Sequence, residues 1–226
     1  MLSRLDPSDL ILLQALAARY PTADMALAEA AALRASLSLP KGTVHVVSDV
    51  HGEYKKLRHI INNASGSLRP LVERLFAGEL DEAETAQLLA VVYYPHEAIE
   101  HLRPTLADDA RRCEFVTRTL RRQFRIARAL ACNRRLPELR ELFPPERREL
   151  FEELLFEPLT GRGAGFVDLM IETLARHDLD LSAVRAASRL VRDLSVSEIV
   201  VAGDLGDRGP RLDRVIDYLL EQPRVS

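Results

Sequence analysis

The 226 residues suffice for one large domain, and a hydrophobic share of 47% is enough to give it a substantial core. The 31 basic and 34 acidic side chains nearly cancel to -3, which removes the electrostatic reason to expect nucleic acid or an anionic membrane as partner. No apolar run approaches the ~20 residues needed to cross a bilayer, and Met1–Asp6 does not read as a signal peptide. Cys113 and Cys132 lack a C-x-x-C spacing and read as buried free thiols of a reducing compartment. A soluble, cytoplasmic chain is expected.

In chain order, Asp6-Pro7-Ser8 starts a helix in which Leu10, Leu12, Leu13, Leu16 and Ala17 recur at helical spacing. After a break at Pro21, an alanine- and leucine-rich helix runs from about Thr22 to Ser36. Pro40-Lys41-Gly42 punctuates the chain, so residues 1–42 are predicted as an N-terminal helical arm. Thr43 to Ser48 is short, β-branched and apolar, the pattern of a buried strand. It ends in Asp49-Val50-His51-Gly52, and helical spacing resumes from Glu53 to Asn62.

Residues 67–195 read as a long helical insertion, with loops near Gly78, Pro95, Pro104, Pro137, Pro144-Pro145 and Gly161 to Gly165. Thr105 with Asp108 is predicted to form a capping box for a long helix. Arg111, Arg112, Arg118, Arg121, Arg122, Arg125 and Arg128 are predicted to line its solvated face. Gly161-Arg162-Gly163-Ala164-Gly165 follows no strand and lacks a P-loop lysine, so it reads as a flexible connection.

Strand character returns at Glu198 to Ala202. That β-branched run overrules the capping-box pattern of Ser195 with Glu198. A polar tip from Gly203 to Pro210 leads into a helix from about Arg211 to Leu220, and Arg224-Val225-Ser226 reads as the opening of a third strand. Residues 43–66 and 196–226 are thus two strand–loop–helix units of one parallel sheet, in a helix-rich α/β chain.

The chemistry concentrates at the two strand tips. Residues i and i+2 of a strand share a side, so Asp49 and His51 can converge on one point. Carboxylate oxygen with imidazole nitrogen suits Mn, Fe or Zn. In the second tip, Asp204 directly follows a strand, where a carboxylate can bridge two cations. Arg208 offers a guanidinium whose donors match two phosphoryl oxygens at once. Flanking glycines let both loops pack closely.

The succession Asp-x-His, then Gly-Asp-x-x-Asp-Arg-Gly, resembles the opening blocks of the calcineurin-like metallophosphoesterases. The long separation between His51 and Gly203 resembles the class 3 fructose-1,6-bisphosphatases within them. So do Tyr20-Pro21-Thr22, Leu39 to Thr43, Ser48 to Tyr54, Tyr93-Tyr94-Pro95 and Gly203 to Pro210. The resemblance implies an incomplete calcineurin-like metallophosphoesterase sheet carrying a helical insertion, with two metal ions, most often Mn2+, about 3.5–4 Å apart. It implies that Asp49 and His51 bind the first metal, Asp204 bridges both, Arg208 holds the substrate phosphate, and Asp207 orients the histidine of the next block. The implied reaction is removal of the 1-phosphate of fructose 1,6-bisphosphate, in gluconeogenesis.

The family's Gly-Asn-His-Asp block and later histidines do not occur in these residues. Little or no phosphatase activity is therefore expected of residues 1–226 alone. Of the six histidines, only His51 has a ligand's setting, while His45, His59, His96, His101 and His177 read as structural or solvent-facing. The same opening blocks also serve phosphoprotein and dinucleotide phosphatases, which lack the insertion; a non-catalytic helical interaction module is the reading from another class. The strand at Glu198 to Ala202 is expected to expose an edge that favours self-association or pairing with a separate C-terminal part.

Overall fold

The computed structural model describes residues 6–156, 164–207, 209–222 and 225. The chain divides into two compact units, Met1–Pro40 and Lys41–Ser226.

The first unit holds α1 (Pro7–Arg19) and α2 (Ala23–Ser36). Asp6 caps α1 in a capping box with Asp9, and Thr22 Oγ1 accepts from the amide of Met25 at 3.2 Å to start α2. Neither helix has a buried residue, and Ile11 and Leu27 are about two-thirds exposed.

The second unit opens with β1 (Val44–Ser48), followed by α3 (Tyr54–Asn62). Then come α4 (Leu68–Leu75), α5 (Glu82–Tyr93), α6 (Pro95–Leu102), α7 (Asp109–Leu130), α8 (Leu136–Leu142), α9 (Arg148–Phe156), α10 (Ala164–His177) and α11 (Ser182–Ser195). The unit closes with β2 (Glu198–Ala202) and α12 (Leu212–Leu220). β1 and β2 pair in parallel, Val44 opposite Glu198 through Ser48 opposite Ala202, so both strands end at the same level. Val225 bridges Ile199 in parallel on β2's other side. This helix-rich α/β arrangement around a two-stranded parallel sheet is the class expected. Residues 67–195 share a compact unit with the sheet.

Helix α7 is the axis of that unit. It packs against α11, α10 and α9, with Val116, Leu120, Phe124 and Ile126 buried. Phe124 meets Phe151 edge-to-face at 5.1 Å, and both rings are sealed from solvent. One polar knot crosses this core. Buried Gln123 donates to Ser188 Oγ at 2.7 Å, and Ser188 accepts that bond within reach of the carbonyls of Val91 (3.0 Å) and Val184 (2.9 Å). The knot fixes the mutual register of α5, α7 and α11.

The helical part also sets the entry to β2. Arg134 donates to the carbonyls of Val196 (2.8 Å) and Asp193 (3.4 Å), while the Ser197 amide donates to Thr43 O at 2.7 Å. Beyond the sheet, α3 and α12 pack together, with Tyr54 edge-on to Tyr218 at 5.7 Å. Tyr218 donates to Asn62 Oδ1 at 2.9 Å, and Asn62 donates to Tyr93 O at 2.7 Å.

Burial pushes the Tyr218 phenol up to about 12. Because the native value lies above the unfolded one of ~10, Tyr218's contribution to stability is whole below the unfolded value and disappears as pH climbs through the native one. Ultraviolet titration of tyrosinate should find one of the five tyrosines ionising last, near 12, a step missing in Tyr218→Phe. A last step unchanged by that substitution would refute the assignment.

Several local expectations need correction. Asp108 alone caps α7, accepting from Ala110 N at 2.9 Å, while Thr105 Oγ1 turns back to donate to Leu102 O at 2.7 Å. A threonine hydroxyl that bonds its own preceding turn is no longer free to cap. Pro95 and Pro137 lie in the first turns of α6 and α8, positions that need no amide hydrogen. Strand β1 buries only one face: Val44 and Val46 are 51% and 69% exposed, whereas His45 and Val47 are buried.

The solvated face expected of the α7 arginines holds only in part: Arg111, Arg118 and Arg121 are exposed, and the others are half-buried. Arg122 pairs with Glu84 at 3.0 Å, Arg125 grips Glu79 and Leu75 O, and Arg128 donates to Leu154 O at 2.9 Å. A central helix has neighbours on most sides, so long cationic side chains become staples to them. Cys132 is exposed and Cys113 half-buried, its thiol donating to Ala175 O, so neither is a buried thiol.

Candidate metal centre

The parallel register delivers both polar tips to the same end of the sheet. The His51 amide donates to Asp204 O at 3.2 Å and the Gly52 amide to Leu205 O at 2.7 Å, so pairing of the two segments continues past the strands. To turn there, the first tip adopts left-handed backbone at Asp49 (φ 52°), His51 (φ 49°) and Gly52 (φ 71°). Asp and His tolerate this region better than most residues, yet two such positions in one tip store strain of the kind found at ligand sites.

Glycine contacts lock the tips together. A Cβ on Gly52 would fall 2.7 Å from the Gly209 carbonyl carbon, and one on Gly209 would collide with the carbonyl of His51. A Cβ on Gly203 would lie 2.8 Å from Asp49 Oδ1, so the Asp49 carboxylate is seated over the second tip because Gly203 has no side chain.

Within this frame one ligand atom each from His51, Asp204 and Asp207 lies within 4.8 Å of the others. His51 Nδ1 and Asp207 Oδ1 are 2.5 Å apart. With Nδ1–H donated to the carboxylate, Nε2 carries the lone pair, the arrangement by which a carboxylate orients a metal-binding imidazole. The group is half-exposed and open to solvent. One imidazole and several carboxylates are a donor set that fits a first-row divalent cation.

The structure therefore brings Asp49, His51, Asp204 and Asp207 to one end of the sheet. Asp49 lies against Gly203, outside the tightest three-residue group. The family resemblance implies that Asp207 orients a histidine of a later block; within these residues its carboxylate meets His51, a contact made visible only by the register of the two tips. Arg208 lies outside the described residues, as do Gly161 to Gly163. Of the remaining histidines, His45 is buried, with its imidazole pushed below the usual range by that burial, and His59 bonds Tyr94 and Asn63.

The family model described as Firmicute fructose-1,6-bisphosphatase matches residues 11–226. The chain belongs to that family. Among its curated relatives, the class 3 fructose-1,6-bisphosphatase of Clostridium acetobutylicum is 33% identical over 93% of this chain and 31% of the relative. One of Clostridium beijerinckii is 31% identical over 96% of this chain and 33% of the relative, and one of Porphyromonas gingivalis is 30% identical over 94% and 32%. The chain spans about one third of the length of these fructose-1,6-bisphosphatases. No solved structure matches it. Among the described residues, no helix is long and apolar enough to cross a membrane.

Proposed function

We propose that residues 1–226 supply the first half of a two-metal phosphatase centre, in a cytoplasmic enzyme that hydrolyses fructose 1,6-bisphosphate to fructose 6-phosphate and phosphate. The convergence of His51, Asp204 and Asp207 at the end of a parallel pair carries the reading, and membership of the fructose-1,6-bisphosphatase family supports the substrate.

In this reading Asp49, His51 and Asp204 hold divalent metal, Mn2+ by preference, within a calcineurin-like fold. Bound metal ions would lower the pKa of a water and clamp the phosphoryl oxygens. Asp207 keeps the His51 ring oriented and its Nδ1 proton fixed. Arg208 receives the 1-phosphate. The open, half-exposed tips leave room for a sugar bisphosphate and for the ligands still required.

Two outcomes follow. Purified residues 1–226 bind Mn2+ in equilibrium dialysis, and Asp204→Asn weakens that binding at least tenfold, more than 1.4 kcal/mol. The same protein releases no phosphate from fructose 1,6-bisphosphate above background. Unchanged Mn2+ binding in the variant would contradict the metal assignment, and turnover at ~1 s⁻¹ or faster, within the usual enzymatic range, would contradict the half-site.

A further inference from the structure

The two helices of the Met1–Pro40 unit carry the same surface pattern twice. In α1, Asp9, Leu12, Leu16 and Arg19 follow one another at steps of three, four and three. In α2, Asp24, Leu27, Ala31 and Arg34 repeat those steps. Such spacing lines each set up along one side of its helix, as in the seam of a coiled coil. Each seam has an acid in the first turn, two apolar residues in the middle and a base in the last turn.

All eight residues are exposed, Leu12 by 59% and Leu27 by 68%. Among the described residues no ion pair engages the four charges. Asp9 accepts from the Asp6 amide at 3.2 Å, and Arg19 lies over the Tyr20 ring at 5.5 Å. Helices of 13 and 14 residues are marginal in water by themselves. With neither seam buried, their order calls for a partner that covers the leucines.

The seams specify that partner. Laid antiparallel, one seam meets another with acid opposite base at both ends and apolar on apolar between them. Laid parallel, like charges would face each other. The two seams of one chain do not cover each other, since both are exposed. A second copy of the chain supplies the same complement, and a two-fold axis supplies the antiparallel direction. An anionic membrane finds no excess of positive charge here, because each seam has one acid for each base.

We propose that residues 7–36 are a self-association arm, whose helices pair antiparallel with those of a second copy and place Asp against Arg at the seam ends. Burial of the leucines supplies the affinity, and the charges set direction and partner.

Sedimentation velocity of residues 1–226 should show a monomer–dimer equilibrium. Leu12→Ala with Leu27→Ala, which keeps every charge and both caps, should weaken the dimer at least tenfold. An acidic arm (Arg19→Glu with Arg34→Glu) and a basic arm (Asp9→Lys with Asp24→Lys) should each lose self-association, and an equal mixture of the two should form a one-to-one dimer. Val46→Lys, on the exposed face of β1, should change nothing. Asp9 also completes the α1 capping box, so circular dichroism checks the basic arm, and Asp24→Lys alone replaces it where helix is lost. A parent chain that stays monomeric, a dimer indifferent to the arm's leucines and charges, or acidic and basic arms that stay apart when mixed would each overturn the proposal. None of these residues belongs to the metal centre, so Mn2+ binding should be the same in every variant.

Discussion

Replacing Gly209 by alanine should lower Mn2+ affinity ~10–100-fold, the range seen when the support of a metal ligand is removed, although no candidate ligand residue is itself changed. The added Cβ meets the carbonyl of His51, a backbone atom that cannot swing aside as a side-chain end would. The first tip must then retreat from the second. The bonds from the His51 and Gly52 amides to Asp204 and Leu205 lengthen, and the 2.5 Å contact between His51 and Asp207 opens. Overpacking of this kind also costs about 1–3 kcal/mol of stability. Gly52→Ala should behave alike, because its Cβ would press on Gly209 from the other side at φ 71°. Equilibrium dialysis with manganese, beside a melting curve, separates the loss of binding from the loss of stability. Full affinity in a well-folded Gly209→Ala would show that the tips need not interlock.

The second large effect lies far from the ligands. Phe151→Ala should destabilise the Lys41–Ser226 unit by ~3–5 kcal/mol, the usual cost of emptying a fully buried aromatic site. Phe151 has no exposed surface and fills the angle between α9 and α7 against Phe124. Its neighbours Leu154 and Leu155 are equally buried and cannot move into the gap without leaving their own contacts. Chemical denaturation should show a lower midpoint with little change in slope. A loss below 1 kcal/mol would mean that α9 is not integral to the core. Since α7 also carries Arg134's segment toward β2, such a loss of core should loosen the entry to the second tip as well.

Much of this was legible in the residues because local rules and tertiary demands agree there. β-branched runs at 44–48 and 198–202 became the two paired strands, and the polar tips after them met because parallel strands in register must end together. Asp6 and Thr22 capped the helices they precede for the same local reason. Where the outcome depended on long-range neighbours, the sequence was silent. The arginines of α7 have the spacing of a wet face, and Arg111, Arg118 and Arg121 are exposed on it, but the heads of Arg122, Arg125 and Arg128 found acids and carbonyls of neighbouring segments. Thr105 had the spacing of a cap and spent its hydroxyl on the preceding turn. At the site, Asp49, His51 and Asp204 could be picked out as ligand types at strand ends. The partnership of Asp207 with His51 could not, since it joins residues 156 positions apart. The repeated glycines were the available signal, and their meaning, backbone against backbone at Gly52 and Gly209, emerged only from the packing.

The sharpest test is electron paramagnetic resonance of Mn2+ added to residues 1–226, with echo modulation used to detect a directly bound histidine nitrogen. Bound manganese should show coupling to one imidazole nitrogen, and that coupling should vanish in His51→Ala and persist in His45→Ala. Manganese that binds without nitrogen coupling, or with coupling indifferent to His51, would contradict a cation held between the two strand tips.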